Sequence, residues 1–451
     1  PSGLRLGPEM LHESNSETVI FRPRGGRLLT RTSEGTTRLW KVPMPTAVRR
    51  ILVHDRQGGT DGAMFSPDGR YVLGWAWAAT LWNADSGERI GAPMNYLGVA
   101  GRGVWGGIFS EFCDRLVTAG DAARVWAVET AEPIGPILKH PGGAAGAVFV
   151  GSQEGIDEPV ITWGGRSIRK WQPLTGEELC DPLTAENALG PWALSPETRT
   201  LAAAEGLRVH LWDLDAWRLT GAVIKFKEAA AGLRFNTAGD RLMVWPKLHR
   251  MFLYEAGTGK VIARLKHDGG WKHPPSFGGQ GTTLVAWSGK TVEVRSADNG
   301  AEIRAPVTIP DYIVGASLDG PGGRLAVWGI DLLRVFDVQT GEQLGPTLDH
   351  QGVRGARFTR DGSYVLSWGT DGHARLWSPV SGHQVGPEMA HGGSLKEGAF
   401  SPSEDRILTI ELAGFPHIWE LGDFHFPAEH QALRVRVQSG TFFDAPNAKV
   451  R

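Results

Sequence analysis

The chain carries fourteen histidines, and metal chemistry is the first reaction class they suggest. Six of them, His12, His54, His140, His267, His350 and His391, each stand two residues after Leu or Met. A residue that recurs in one column of a repeat is a packing position more readily than a ligand set. There is no H-E-x-x-H and no clustered Cys/His spacing, so no metal or other cofactor is expected. His273 and His425 are lone. Cys113 and Cys180 are isolated and leave the redox compartment open. Residues 101–106, Gly-Arg-Gly-Val-Trp-Gly, fit G-x-G-x-x-G. The phosphate-binding version needs a strand before it and a helix after it; this one falls between repeat units and reads as a turn. No nucleophile elbow or P-loop is present.

Bulk composition narrows the classes further. Lys plus Arg is 47 and Asp plus Glu is 49. That balance argues against attraction to nucleic acid or to an anionic membrane. No apolar run is long enough to span a bilayer, so no membrane insertion is expected. There is no signal peptide, and a cytoplasmic location is expected. Residue 1 is Pro rather than Met, which suggests a processed chain or a fragment of a longer protein.

The elements that must position these residues show most clearly in 351–391. Residues 353–358 read as a strand. Thr359, Arg360, Asp361 and Gly362 make a turn, because Asp and Gly accept tight backbone conformations. Residues 364–368 are a second strand, 374–377 a third and 384–389 a short, Pro-bearing fourth of the kind found at sheet edges. The third-strand position recurs at Trp40, Trp82, Trp126, Trp171, Trp212, Tyr254, Arg295, Phe336, Trp377 and Trp419, at intervals of 41–45 residues. Ten units follow one another without a linker.

A period of roughly 40–45 residues with four strands, an entrance His and a third-strand Trp resembles the WD40 repeat, one blade of a β-propeller. The Trp-Asp dipeptide itself survives at Trp212-Asp213 alone. The spacing and the Gly-Pro fourth strands look most like WD40 arrays of bacterial multidomain proteins, some of them kinase-linked; no kinase motif is present here. The resemblance implies an all-β fold. It also implies a hydrogen-bonded chain inside each blade, which maps onto His350, Ser367, Asp371 and Trp377, and in the first unit onto His12, Thr30, Glu34 and Trp40. The third unit keeps Thr118, Asp121 and Trp126 without the His. A second aromatic column, Trp75, Trp163, Trp245, Trp287, Trp328 and Trp368, is expected to pack between blades, since strand neighbours face opposite sides.

The ends carry an architectural expectation. Residues 4–12 match the fourth-strand pattern of 384–391, and the last unit has no obvious fourth strand of its own. The expected fold is therefore one closed ring of ten four-stranded blades over residues 1–423, completed by the N-terminal strand. Two smaller rings, or an open array, are the alternatives. Residues 424–451 are expected to pack outside as a tail with a short strand near 433–437, with Phe424, Phe426, Phe442 and Phe443 capping apolar surface.

The expected function is a non-enzymatic scaffold or sensor module that holds a protein or peptide partner. The alternative is a propeller enzyme or small-ligand receptor using the central channel. In WD40 proteins the favoured surface carries the loops into the first strand and those between second and third strands. Four residues before the Phe anchor of each first strand stand Glu17, Asp61, Trp105, Ala145, Ala231, His273, Arg354 and Lys396. This column does not repeat, so it is free of packing duty. Trp105 and Arg354 are its strongest candidate anchors; Asp61 and Lys396 can set charge register, and His273 and Glu17 complete the candidate set.

Overall fold

A computed structural model describes residues 16–21, 27–32, 37–41, 48–52, 60–96, 103–150, 158–195, 197–247, 250–266, 276–421, 443–444 and 449–450. The described chain is nearly all β. Its sheets form a β-propeller of nine four-stranded antiparallel blades. Blades 1 to 8 occupy 62–94, 104–138, 146–184, 192–225, 232–266, 276–308, 315–349 and 353–390. Blade 9 combines 395–420 with a strand from far earlier in the chain, Val48–Ile51. Each blade runs first to fourth strand in spatial order. First strands of neighbouring blades approach one another, as Trp192–Ser195 does Gly232–Phe235 and Gly315–Leu318 does Val353–Phe358. The fourth strands lie outermost and largely exposed, as in Arg89–Met94.

The expectation of ten blades is corrected to nine. The first repeat supplies a separate three-stranded sheet, Ser16–Phe21, Arg27–Thr32 and Thr37–Lys41. Its fourth strand, Val48–Ile51, pairs not with Thr37–Lys41 but with Pro416–Glu420, in the register His417 to Ile51 and Glu420 to Val48. The strand expected to complete the last blade was 4–12; Val48–Ile51 holds that position instead, and 4–12 lies outside the described residues. Both segments read as fourth strands because both precede an entrance His. The physical choice is which of them meets the open edge of Pro416–Glu420. The tail strand expected near 433–437 also lies outside the described residues; Phe443–Asp444 pairs with Lys449–Val450.

Packing follows the alternation of strand residues. Each of nine apolar clusters spans two consecutive blades. Trp377 lies with Trp328, Val353 and Phe358 between blades 7 and 8. Trp368, on the next strand and the opposite face, lies with Leu395, Ile407 and Trp419 between blades 8 and 9. The ninth cluster joins blade 9 to blade 1, with Leu408 and Ile418 against Phe65, Val72 and Trp82. The second-strand Trp column therefore packs between blades.

Small residues make room for that column. Gly62, Gly146, Gly232, Gly315 and Gly355 each sit opposite a second-strand Trp in the strand register. A Cβ on Gly355 would lie 2.2 Å from Trp368, and one on Gly146 2.3 Å from Trp163. Blade 4 exchanges the two roles: Trp192 stands on the first strand opposite Ala203. Trp192 meets Trp163 of blade 3 edge-on at 4.9 Å.

Candidate functional site

Antiparallel blades put two kinds of connection at one end: the entry loop into the first strand and the turn between second and third strands. These interleave from blade to blade. The Val353 amide, at the entry of blade 8, donates to the Ile330 carbonyl in the turn of blade 7, at 2.7 Å. The Thr60 amide, at the entry of blade 1, donates to Gly414 in the turn of blade 9, also at 2.7 Å, and the Thr60 hydroxyl donates to the same oxygen at 3.0 Å. This end is therefore one continuous surface across neighbouring blades.

What holds that surface rigid is polar and buried. Trp377 Nε1 donates to Ser367 Oγ at 2.8 Å, and Ser367 Oγ lies 2.6 Å from His350 Nδ1. His350 Nε2 lies 3.2 Å from Asp371 Oδ1. An indole N–H can donate only, and a carboxylate can accept only. With a neutral imidazole the proton order is Trp377 to Ser367, Ser367 hydroxyl to His350 Nδ1, and Nε2–H to Asp371. Burial, followed by the nearby Arg375 charge, holds His350 below the usual histidine range, in agreement. Burial works against the Asp371 carboxylate, but hydrogen bonds from Arg375 and from the His373 amide keep it below its usual range.

Other blades use variants of the same chain. In blade 3, Trp171 donates to Thr162 at 2.8 Å, and Thr162 meets His140 Nδ1 at 2.7 Å. The Gly164 carbonyl replaces the carboxylate at 3.0 Å. In blade 9, Thr409 links His391 and Trp419 at 2.7 and 2.8 Å. Blade 2 has no His at this position. Tyr96 takes its place and donates to Thr118 at 3.0 Å, while Trp126 donates to the same oxygen at 2.9 Å. Asp121 accepts there from the Gly103 amide at 2.7 Å. Tyr96 stands two residues after Met94, in step with the His column, and was missed because that column was read for His alone. The side chains of the first-repeat set, His12, Thr30, Glu34 and Trp40, lie outside the described residues.

The sequence candidates fall on this end as follows. Trp105 is 47% exposed, and its ring rests near Gly143 of the next entry loop. Asp61, Arg354 and Lys396 are exposed. Lys396 Nζ donates to the Asp61 carbonyl at 2.6 Å, which ties blade 9 to blade 1. Arg354 has no ion pair among the described residues. His273 lies outside them, and Glu17 stands in strand Ser16–Phe21, where the backbone alone is described. Residues 101–106 run into strand Val104–Phe109, not a helix, so the glycine pattern is not a phosphate loop.

Sequence reasoning missed the turns between second and third strands. They carry Trp77 (62% exposed), Leu207, Ile330, Leu412 and Phe415. Trp192, at the start of the first strand of blade 4, and Tyr312, in an entry loop, add to them, and Lys290 stands 5.7 Å over the Tyr312 ring. Of fifteen large apolar side chains exposed among the described residues, these seven and Trp105 lie at this end. The signal was available: each is a large apolar residue at a turn position that belongs to no repeating column.

Among the described residues, no group of three or more His, Cys, Asp or Glu side chains is placed to hold a metal. No described helix is long and apolar enough to cross a membrane. No family model matches the chain, and no curated protein matches it. Among solved structures, it is similar to the computationally designed Ika8 protein, at 16% identity and a TM-score of 0.49, over 70% of this chain and 95% of that one.

Proposed function

We propose that the chain is a WD40-type propeller of nine blades, closed by Val48–Ile51, that acts as a non-enzymatic interaction module. Its partner, a protein or peptide, binds the end that carries the entry loops and the turns between second and third strands. The observation that carries this reading is the gathering of Trp77, Trp105, Trp192, Leu207, Tyr312, Ile330, Leu412 and Phe415 at that end. Exposed apolar groups on a rigid scaffold mark interaction surfaces, and aromatic and Arg anchors dominate interface energies. Closure is supported by the blade 9 to blade 1 contacts, and the family reading by the His–Ser/Thr–Trp chains.

An enzyme using the central channel would need reactive groups on the innermost strands. The position before the Phe anchor carries Met64, Ile108, Val148, Arg234, Ser276, Arg357 and Ala399, with Ala193 and Ser317 at the equivalent positions of blades 4 and 7. None is a carboxylate, which favours the binding reading.

The test is a comparative pull-down from the native source. Trp105→Ala with Arg354→Ala, and separately Trp77→Ser, should lose partner recovery while keeping the wild-type melt. Phe112→Ser and Val380→Ser, at the opposite end, should retain it. Loss with the second pair and retention with the first would overturn the assignment of the face.

A further inference from the structure

The outer rim of blade 4 departs from that of most other blades. A fourth strand is a sheet edge, and an edge presents a row of unpaired N–H and C=O groups. Most outer strands of this propeller are blunted. Those of blades 1, 2 and 8 carry Pro93, Pro133 with Pro136, and Pro387, and proline removes a donor from the edge. Those of blades 3, 6 and 7 are two residues long. Arg218–Lys225 of blade 4 has eight residues and no proline, and is the longest strand described. Val261–Lys266 of blade 5 and Val48–Ile51 of blade 9 also lack proline, at six and four residues.

That edge is open on its outer side. Among the described strands, Arg218–Lys225 pairs with Arg208–Asp213 alone. The Phe226 amide donates to the Leu207 carbonyl at 2.8 Å. Successive residues of an antiparallel ladder turn their peptide groups to opposite sides. Those of Ile224 therefore face the blade, and those of Val223 and Lys225 face outward. A register shift falls opposite His210 to Trp212, but blades 1, 2 and 8 carry a shift between the same two strands. Against those three, the missing proline is the difference. Leu219 is 45% exposed and Val223 40%.

The charge along this edge points to the kind of partner. Arg208 and Lys225 are exposed and stand directly opposite in the register. Neither has an ion pair among the described residues. Like charges placed so destabilise a sheet, and an anion lying along the edge relieves them. In blade 5, Arg250 and Lys266 are opposed in the same register positions. A second copy of the strand would bring its own cations to the edge, so its charge opposes self-pairing.

We propose that the outer edge of blade 4 takes an extended, acidic peptide segment of a partner as a fifth strand. Hydrogen bonds to the outward peptide groups of Val223 and Lys225 hold its backbone, and a carboxylate meets Arg208 and Lys225. In strand addition the main chain supplies affinity and the side chains supply specificity. The apolar end face plays no part, and the probe is a synthetic peptide rather than the native partner, so this reading and the proposed function fail separately.

The experiment is fluorescence anisotropy of the full chain with a labelled peptide of sequence Glu-Val-Thr-Val-Thr-Val-Glu, capped at both ends. The controls are an analogue with Lys for both Glu and an analogue N-methylated at every amide. The acidic peptide should bind at least about fivefold more tightly than the basic one, the upper worth of an exposed ion pair. The N-methylated analogue should not bind. Val223→Pro removes an outward donor and leaves the bonds to the third strand, so it should abolish binding and keep the wild-type melt. Lys225→Glu places a carboxylate opposite Arg208; it should fold, weaken the acidic peptide about fivefold and strengthen the basic one, which keeps the test sound should Val223→Pro not fold. Equal binding of the N-methylated analogue, unchanged affinity in Lys225→Glu, or no binding of the acidic peptide overturns the inference. Self-association of the free chain that Val223→Pro abolishes would assign the edge to a second copy and also overturns it.

Discussion

Arg406 of blade 9 donates from Nη1 to the carbonyl oxygen of Gly69 in the first turn of blade 1, at 3.2 Å. The same guanidinium also meets Asp85. Arg324 of blade 7 makes the equivalent bond to Gly362 of blade 8, and Arg241 of blade 5 approaches Asp298 of blade 6 at 3.5 Å. The arginine that follows the first turn thus braces one blade against the next, and the junction of blade 9 with blade 1 uses the same brace. Arg406→Ala and Arg324→Ala should therefore cost similar amounts, about 1 kcal/mol each, the net worth of one hydrogen bond. Denaturant midpoints check this. A silent Arg406→Ala beside a costly Arg324→Ala would mean that blades 9 and 1 do not meet in solution.

The buried chain in blade 8 gives a larger effect. Trp377→Ala removes a buried indole and leaves Ser367 short of its donor. It should cost about 3–5 kcal/mol. Ser367→Ala strips the partner from both Trp377 and His350 and should cost about 1–3 kcal/mol. Chemical denaturation measures both; a wild-type midpoint for Trp377→Ala would contradict the assignment of the chain.

Stability should fall on mild acidification. Burial is the leading cause that lowers both His140 and His350 in the folded state, whereas an unfolded histidine titrates near about 6.5. Between those values the unfolded chain binds protons that the folded chain refuses, so stability is full above about pH 6.5 and declines below it. Thermal melts at neutral and mildly acidic pH should show the drop, and His350→Gln should reduce it. A melting temperature that holds steady or rises on acidification would contradict a neutral His350.

Gly355→Ala tests the pairing of glycine with tryptophan. The added Cβ would lie 2.2 Å from Trp368, so the indole must leave its place against Leu395 and Trp419. Overpacking of this kind costs about 1–3 kcal/mol. Adding Trp368→Leu to Gly355→Ala should recover part of the loss, because the smaller side chain clears the contact. If Gly355→Ala alone is neutral, the close approach is not a constraint on the fold.

The four-strand unit was legible because period, turn residues and the Trp column repeat in phase, and the linking of His350, Ser367, Asp371 and Trp377 came from the resemblance to the WD40 repeat. Blade number was not legible. Residues 4–12 and 48–51 both stand before an entrance His, and the pairing of His417 with Ile51 is a contact between opposite ends of the array that no local pattern encodes. Trp105, Arg354, Asp61 and Lys396 were singled out because their column fails to repeat. Trp77, Ile330 and Phe415 were missed because turn positions were read for Gly and Asp, not for exposed apolar side chains. The open edge of Arg218–Lys225 was missed because fourth strands were read from the Pro-bearing pattern of 384–389.

Closure by Val48–Ile51 is most directly tested by a disulfide. Val48 and Glu420 are opposed in the strand register, and opposed residues hold their Cβ atoms about 4.5–5.5 Å apart, within reach of a disulfide after small adjustment. In a background with Cys113→Ser and Cys180→Ser, the pair Val48→Cys and Glu420→Cys should form an intramolecular disulfide under mild oxidation and raise the melting temperature. Failure of that pair, with Lys41→Cys and Val48→Cys cross-linking instead, would return Val48–Ile51 to its own repeat and contradict the nine-bladed closed propeller.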